Sequence, residues 1–331
     1  MKKFNVAIVG ATGMVGRTFL KVLEERSFPI DTLYPMASKK SAGQTVSCQG
    51  KEYTVEELTE ASFDKDIDIA LFSAGGELSE KYAPIAASKG VIVIDNSSAF
   101  RMTEDVPLVV PEVNPEAIFE NKGIIANPNC STIQAVVALK PLHDAFKIKR
   151  IVYATYQAVS GSGVKGVSDL AEGQKGNQQY SCYPHSISDN CLPHIDVFTE
   201  NGYTKEEMKM INETKKILND DNLRITVTAV RVPMFDCHSE AINIEFENPF
   251  EIEKVKEILA SAPGIVLRDD IANNVYPLAS EAKGTDDVYV GRIRRDESLD
   301  NGLNIWVVAD NIRKGAASNT VQIAEVLIQK M

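Results

Sequence analysis

Phe4-Asn5-Val6-Ala7-Ile8-Val9 runs directly into Gly10-Ala11-Thr12-Gly13-Met14-Val15-Gly16. The apolar run reads as a buried parallel strand, and the glycine segment leads into an amphipathic helix to about Glu25. Glycine at Gly10, Gly13 and Gly16 permits a tight turn, close approach of backbone to a pyrophosphate and close packing of helix on strand, while the helix N-terminus attracts phosphate charge. A bare glycine triplet also fits a tight turn without a ligand. Its place between strand and helix points to dinucleotide binding. A second strand, about Asp31 to Ala37, ends at Ser38-Lys39-Lys40-Ser41-Ala42-Gly43. The acidic residue that would hold the adenine ribose is missing there, and Lys39, Lys40 and Ser41 suit a 2′-phosphate, so the expected cofactor is NADP, with an ordinary solvated basic loop as the competing use of the stretch.

Strand and helix alternation continues outward from that start. Ile67 to Ser73, a helix at about Ser79 to Lys89, and Val91 to Asp95 extend a doubly wound parallel sheet. Asn96-Ser97-Ser98-Ala99-Phe100-Arg101 follows at the carboxyl end of a strand, where such sheets bind ligands. Arg101 is therefore a candidate anion clamp, although an ordinary surface arginine is the commoner use of the residue.

A second informative stretch is Ile124-Ile125-Ala126-Asn127-Pro128-Asn129-Cys130-Ser131-Thr132. An apolar run ends in a turn signal, and helical spacing follows to Phe146. Cys130 is thus expected on a strand-to-helix turn, with Ser131 or Thr132 as the cap. The positive helix end would favour a thiolate, and the same amides would stabilise an oxyanion on a carbon bonded to the sulfur. A small buried hydrophobe at a helix start is the competing use of a lone cysteine.

The second half of the chain reads as strand-rich. Arg150 to Tyr156 is a strand followed by Gln157 and Ser160-Gly161-Ser162-Gly163. Residues 166–193 form a polar stretch with a short helix at about Val167 to Glu172, of a length that usually serves an interface or a lid. Thr204 to Leu218 is a helix opened by a Thr204/Glu207 capping box, on which Glu213 and Lys216 read as an ordinary surface pair. Two alternating strands, Arg224 to Val232 and Cys237 to Phe246, are separated by Pro233. His238 therefore starts a strand after an irregular turn, where an imidazole faces a cleft or serves as a structural histidine. A helix at Glu251 to Ala260, strands at Val288 to Arg294 and Leu303 to Ala309 joined through Asp300-Asn301-Gly302, and a final helix at Ala316 to Gln329 complete the chain.

Composition narrows the function classes. The 331 residues suffice for two domains, and the formal net charge of −11 argues against nucleic acid or anionic membrane as a partner. Five cysteines without a CxxC pair fit a reducing compartment, and four histidines without ligand spacing predict no metal. The start Met1-Lys2-Lys3 superficially resembles a signal peptide, but Asn5 interrupts the apolar run. The expectation is a soluble cytoplasmic protein.

A helix-start cysteine, a histidine, arginines at strand ends and a dinucleotide turn share one economical chemistry, that of a phosphorylating aldehyde dehydrogenase. Over essentially its full length the chain resembles the aspartate-semialdehyde dehydrogenases. The resemblance is carried by Gly10 to Gly16, Pro128-Asn129-Cys130-Ser131-Thr132, Gln157 with Ser160-Gly161-Ser162-Gly163, Glu213-Thr214-Lys215-Lys216, Arg231 with His238-Ser239-Glu240, and Asp310-Asn311-Ile312-Arg313-Lys314-Gly315-Ala316-Ala317.

The resemblance implies Cys130 as the acyl-thioester nucleophile, His238 as general acid/base and Gln157 as an orienting residue. It implies Arg231 and Glu213 for the α-carboxylate and α-amino ends of the substrate, Arg101 and Lys216 for phosphate, and Asn129 in the substrate site. NADP would be met by Gly10, Thr12, Gly13, Met14, Val15, Gly16, Lys40, Ser41, Ser160, Gly161 and Asn311. The implied fold is an N-terminal Rossmann-type doubly wound parallel sheet plus an α+β mixed-sheet substrate and dimerisation domain. Its implied division is 1–129 as the NADP-binding domain, completed by the C-terminal helix 312–331, and 130–311 as the catalytic and dimerisation domain. A homodimer, or a homotetramer built from it, is implied, with a small-molecule substrate and inorganic phosphate as partners. The implied reaction reduces L-aspartyl 4-phosphate to L-aspartate 4-semialdehyde for lysine, diaminopimelate, methionine and threonine synthesis. Cys237 stands where a small residue is expected, placing a second thiol beside His238, and Lys40 stands where relatives often carry arginine. Two alternatives are an N-acetyl-γ-glutamyl-phosphate reductase, whose substrate lacks the free amine that Glu213 would meet, and a catalytically silent NADP-binding protein.

Overall fold

The computed structural model describes residues 2–177 and 180–331. The chain forms two compact units, Met1–Asn129 with Ala316–Met331, and Cys130–Gly315.

The first unit is built on a parallel sheet. Strands β1 (Phe4–Val9), β2 (Ile30–Ala37), β5 (Glu56–Glu57), β6 (Ile69–Phe72), β7 (Ile92–Asp95) and β8 (Ile124–Ala126) lie in the order β5-β2-β1-β6-β7-β8, and a hairpin of β3 (Thr45–Cys48) and β4 (Lys51–Thr54) stands beside it. All neighbouring pairs of the sheet are parallel. Helices α1 (Met14–Glu25) and α2 (Gly76–Ser88) make the crossovers that parallel pairing requires. Central strands are buried on both faces, which explains the unbroken apolar runs: every residue of β1 except Asn5 is buried. Phe19, Leu20, Val22 and Leu23 form the buried stripe of α1, and the C-terminal helix Ser318–Leu327 adds Val321, Ile323, Ala324 and Leu327 to the same core. Each such valine, leucine, isoleucine or phenylalanine side chain removed from water contributes roughly 1.5–3 kcal/mol. The sequence order reverses between β1 and β6, the switch point at which this kind of sheet opens a crevice.

The second unit is a mixed sheet covered by helices on one face. Its strands are β9 (Ile148–Gln157), β10 (Arg224–Arg231), β11 (His238–Phe246), β12 (Ile265–Leu267), β13 (Val288–Asp296) and β14 (Gly302–Ala309), in the order β10-β9-β11-β14-β13-β12. The helices α3 (Cys130–Phe146), α5 (Lys205–Leu218) and α6 (Ile252–Ser261) pack on it, and α4 (Gly163–Gln174) lies between β9 and α5 in the chain. β11 alternates buried and half-buried along its whole length, as a strand with one covered face should. The Thr204/Glu207 capping box forms, and Glu207 also accepts from the Ala229 N–H at 3.0 Å, tying α5 to the edge strand.

Several boundaries differ from expectation. The helix at Cys130 begins on the cysteine itself, so Ser131 and Thr132 lie inside its first turn, and Asn129, a residue suited to capping, takes the position before it. The short helix expected at 167–172 runs from Gly163 to Gln174, because Leu170 and Val167 anchor it in a small apolar cluster with Val159, Ile187 and Leu192. Gln178 and Gln179 of that polar stretch lie outside the described residues. Glu213 is no surface residue; it is buried on α5. The final helix is preceded by a π turn over Arg313–Ala317.

Candidate active site

In the first unit the site elements are backbone features. Gly10 follows β1 with φ +90°, and a Cβ built on it would stand 2.3 Å from the Ser73 carbonyl oxygen. A Cβ on Gly16 would stand 2.1 Å from Gly10 O, so helix and strand touch at a glycine on each side. Gly13 N–H donates to Gly10 O at 3.0 Å, and α1 starts at Met14 with no side-chain cap on its N-terminus. Thr12, Met14 and Val15 are half-buried around this turn. Such a cradle fits a pyrophosphate, which needs amide donors and room rather than side chains. Past the end of β2, Ser41 N–H and Ala42 N–H both donate to Ser38 O, folding a turn on which Lys39 and Lys40 are exposed. Arg101, in the same unit, is buried; its Nε donates to Asn127 O at 2.9 Å and Nη2 to Asn96 O at 3.0 Å, so two strand ends hold the guanidinium. Asn129 is buried at the end of this unit.

In the second unit the sheet register assembles the side chains. Arg231 lies opposite Gln157 across the parallel β10–β9 pair, and Ser239 opposite Tyr156 across the antiparallel β11–β9 pair, which brings His238 to the level of Gln157. Gln157, Arg231 and His238 are all buried, so three strands place three polar side chains in one row on the covered face. The backbone of Ala158 links two of them: its N–H donates to His238 Nδ1 at 3.0 Å and its carbonyl accepts from Arg231 Nη1 at 2.6 Å. Among the described residues, His238 Nε2 and Arg231 Nε are buried without a hydrogen-bond partner. Two buried donors without acceptors mark a place for an oxygen-rich ligand. Gly161 keeps that place open, since a Cβ there would lie 2.9 Å from Arg231 Nη1 and 3.3 Å from His238 Nε2.

Cys130 comes to this row on α3. One turn further on, Gln134 Nε2 donates to the His238 carbonyl oxygen at 3.4 Å. From the other side Gly315, in the π turn, lies so close that a Cβ on it would be 2.7 Å from Cys130 Cβ. Asn311 joins the same neighbourhood, its Nδ2 donating to Ser160 Oγ at 3.0 Å and its Oδ1 accepting from the Cys237 N–H at 3.0 Å. Glu213 and Lys216 lie on α5, which packs on β10.

Electrostatics separate these groups. Burial, and then the Arg231 guanidinium, hold His238 well below the usual histidine range, so the ring is neutral at pH 7. Because Nδ1 accepts from Ala158, the ring proton sits on Nε2, a buried donor without an acceptor among the described residues. Burial lowers the Lys216 amine, and Glu213 opposes that shift. Cys237 points the other way from its neighbour: its sulfur donates to Ala279 O at 3.3 Å within a cluster containing Val308 and Ala282, and burial pushes the thiol up to about 12. The second thiol expected beside the site is therefore turned to the opposite face of the sheet.

Reading the chain in order missed Ala158, Gln134 and Gly315 as site-forming residues. Ala158 acts through its backbone and carried no signal. Gln134 was legible only as the residue one helical turn after Cys130. Gly315 lies within Asp310 to Ala317, where nothing local marks it as packing on Cys130. Among the described residues no group of three or more His, Cys, Asp or Glu is placed to hold a metal ion, and no helix is long and apolar enough to cross a membrane.

A doubly wound parallel unit with a glycine turn, joined to a mixed-sheet unit with a row of buried Gln, Arg and His beside a cysteine, defines a dinucleotide-dependent oxidoreductase. Comparison with known proteins narrows the class. Residues 5–121 match the profile of the semialdehyde dehydrogenase NAD binding domain and residues 139–314 that of the semialdehyde dehydrogenase dimerisation domain. The chain belongs to the semialdehyde dehydrogenase family. It is 57% identical over 335 residues to an aspartate-semialdehyde dehydrogenase of Aquifex aeolicus, covering 99% of this chain and 98% of that one. Its fold matches aspartate semialdehyde dehydrogenase II of Vibrio cholerae, crystallised in complex with ASA, at a TM-score of 0.95 and 50% identity over 99% of both chains. It also matches the aspartate semialdehyde dehydrogenase of Candida albicans with NADP, at a TM-score of 0.77 and 27% identity over 99% of both chains.

Proposed function

We propose that the enzyme converts L-aspartyl 4-phosphate to L-aspartate 4-semialdehyde with NADPH, through a thioester on Cys130. The observation that carries this reading is the meeting of the α3 start with the Gln157–Arg231–His238 row, where Arg231 Nε and His238 Nε2 are buried donors without acceptors among the described residues and Gly161 lies against Arg231 Nη1 and His238 Nε2 with no side chain between. The positive end of α3 favours negative charge on the Cys130 sulfur. That sulfur attacks the acyl carbon, the carbon–oxygen bond to phosphate breaks, and phosphate leaves. NADPH, when bound, would supply hydride to the thioester carbon in this direction, and NADP would accept it in reverse; the carbon–sulfur bond then breaks, releasing the aldehyde and returning the Cys130 thiolate. His238 works from the acid side, giving its Nε2 hydrogen bond to the acyl oxygen as charge develops there. Gln157 orients the acyl group. Arg231 holds the substrate carboxylate, Glu213 its ammonium group, and Arg101 with Lys216 the phosphate; Asn129 lines the substrate site. The backbone turn at Gly10, Thr12, Gly13, Met14, Val15 and Gly16 takes the pyrophosphate, Lys40 and Ser41 the 2′-phosphate, and Ser160, Gly161 and Asn311 the nicotinamide half.

The product feeds lysine, diaminopimelate, methionine and threonine synthesis in the cytoplasm, a setting supported by five cysteines without a disulfide. A second copy covers the uncovered face of the mixed sheet, where Tyr156, Met234, Tyr276, Leu278 and Trp306 line an apolar groove. The test is phosphate-dependent reduction of NADP by L-aspartate 4-semialdehyde, with NAD in parallel. Wild type should be active, and Cys130→Ala should lose at least about 1,000-fold. Activity with N-acetylglutamate semialdehyde alone, or none with either aldehyde, would overturn the reading.

A further inference from the structure

Glu240 is a buried carboxyl for which the reaction above has no use. It follows His238 by two positions on β11, so both project to the face covered by α3, and it is fully buried. In register it stands opposite Thr155 of β9 and Val307 of β14. Among the described residues neither carboxyl oxygen completes a hydrogen bond, and the Oε1 of Gln134 is likewise buried without a partner. The polar group facing the carboxyl is the Gln134 amide, which also donates to the His238 carbonyl oxygen. Burial drives the carboxyl well above the ordinary glutamate range, and the Gln134 contact offsets this only in part. On the covered face the nearest titratable positions in register are Tyr153, two residues before Thr155 on β9 and sensitive to the Glu240 charge, and His238 on the same strand as Glu240; Cys130 lies one turn before Gln134 on α3, and β14 contributes Val307, while Lys149, Arg150 and Tyr156 of β9, Glu245 of β11 and Lys140, His143 and Asp144 of α3 lie elsewhere along those elements.

Charged, Glu240 would present two acceptors to an amide whose own oxygen is an acceptor. Protonated, it completes a two-bond pair: its O–H donates to Gln134 Oε1, Gln134 Nε2 donates one hydrogen to the other carboxyl oxygen, and the second remains for His238 O. The one added proton gives Gln134 Oε1 its donor, while the two amide hydrogens meet the other carboxyl oxygen and His238 O. We propose that Glu240 works as a neutral carboxylic acid paired with Gln134, and is the positioning residue that fixes the helix start bearing Cys130 against the strand start bearing His238. Its catalytic consequence rests on the thioester reading; its protonation state does not.

The native state keeps a proton that the unfolded chain releases above the ordinary carboxyl range. The resulting stability is whole below that range and is lost as pH rises through the raised native value. The first measurement is infrared difference spectroscopy of wild type against Glu240→Gln at neutral pH. A protonated-carboxyl band that shifts in D2O and is missing from the variant is expected, and its absence from wild type would overturn the proposal. The second is kinetic. Glu240→Gln, which keeps both bonds as an amide pair, should retain kcat and lose the alkaline fall in kcat and thermal midpoint shown by wild type. Glu240→Leu and Gln134→Met should lose about 100-fold in kcat with KM little changed. Wild-type kcat in both of these, or an alkaline fall that persists unchanged in Glu240→Gln, would refute the positioning role. An inactive wild type that still shows the infrared band would refute the proposed reaction and leave the protonated acid standing.

Discussion

The glycine turn of the first unit and the polar row of the second are built by opposite means. The turn is contiguous, and its amides and its space are the working parts: Gly10 and Gly16 press backbone on backbone, with hypothetical Cβ atoms only 2.3 and 2.1 Å from carbonyl oxygens. The row is dispersed over Gln157, Arg231 and His238 on three strands, and its working parts are buried side-chain donors, two of them held by the backbone of Ala158. A backbone site tolerates no added atom yet is indifferent to most side chains. A side-chain site tolerates no change of donor geometry yet is indifferent to the chain between its strands.

Four substitutions test that contrast, from the largest expected effect down. Gly10→Ala forces a side chain into φ +90° and against Ser73 O, and should cost about 3 kcal/mol of stability, read by denaturant unfolding. A variant as stable as wild type would show that the turn relaxes and is no backbone site. Arg231→Lys removes Nε and the guanidinium Nη1 that donates to Ala158 O. It should lower kcat/KM for the aldehyde about 100-fold while the thermal midpoint and the KM for NADP stay near wild type. A matching rise in the NADP KM would erase the distinction between the two sites. Lys40→Ala, on an exposed turn, should raise the NADP KM about tenfold and leave NAD kinetics unchanged. Cys237→Ala should leave the rate of inactivation by iodoacetamide at pH 8 unchanged, because that thiol is buried and pushed up to about 12. Slower inactivation would place its sulfur on the same face as His238.

Much of the first unit was legible because its signals are local. A strand buried on both faces reads as an apolar run, and a turn pressed against a helix demands glycine. The β3–β4 hairpin was not legible: its turn residues Gln49 and Gly50 have φ of +50° and +71°, and glutamine is no signal for that conformation. In the second unit the order of motifs pointed to the family, which the comparisons establish, but not to the arrangement. Glu213 and Lys216 read as a surface pair because helical spacing says which residues share a face, never what covers it. Glu240 read as a polar position on an alternating strand for the same reason.

By itself the sequence determined the strand and helix alternation of the first unit, the glycine turn, the capping box at Thr204 and the family, since each rests on residues within a few positions of one another or on their order along the chain. Tertiary structure alone decided that β11 runs antiparallel between β9 and β14, and hence that His238 stands level with Gln157 and Arg231. It alone turned Cys237 away, brought Gly315 against Cys130 and buried Glu240 under α3. The physical reason is that register and burial are set by contacts between distant segments, and the free energy of those contacts is written in no single stretch of the chain.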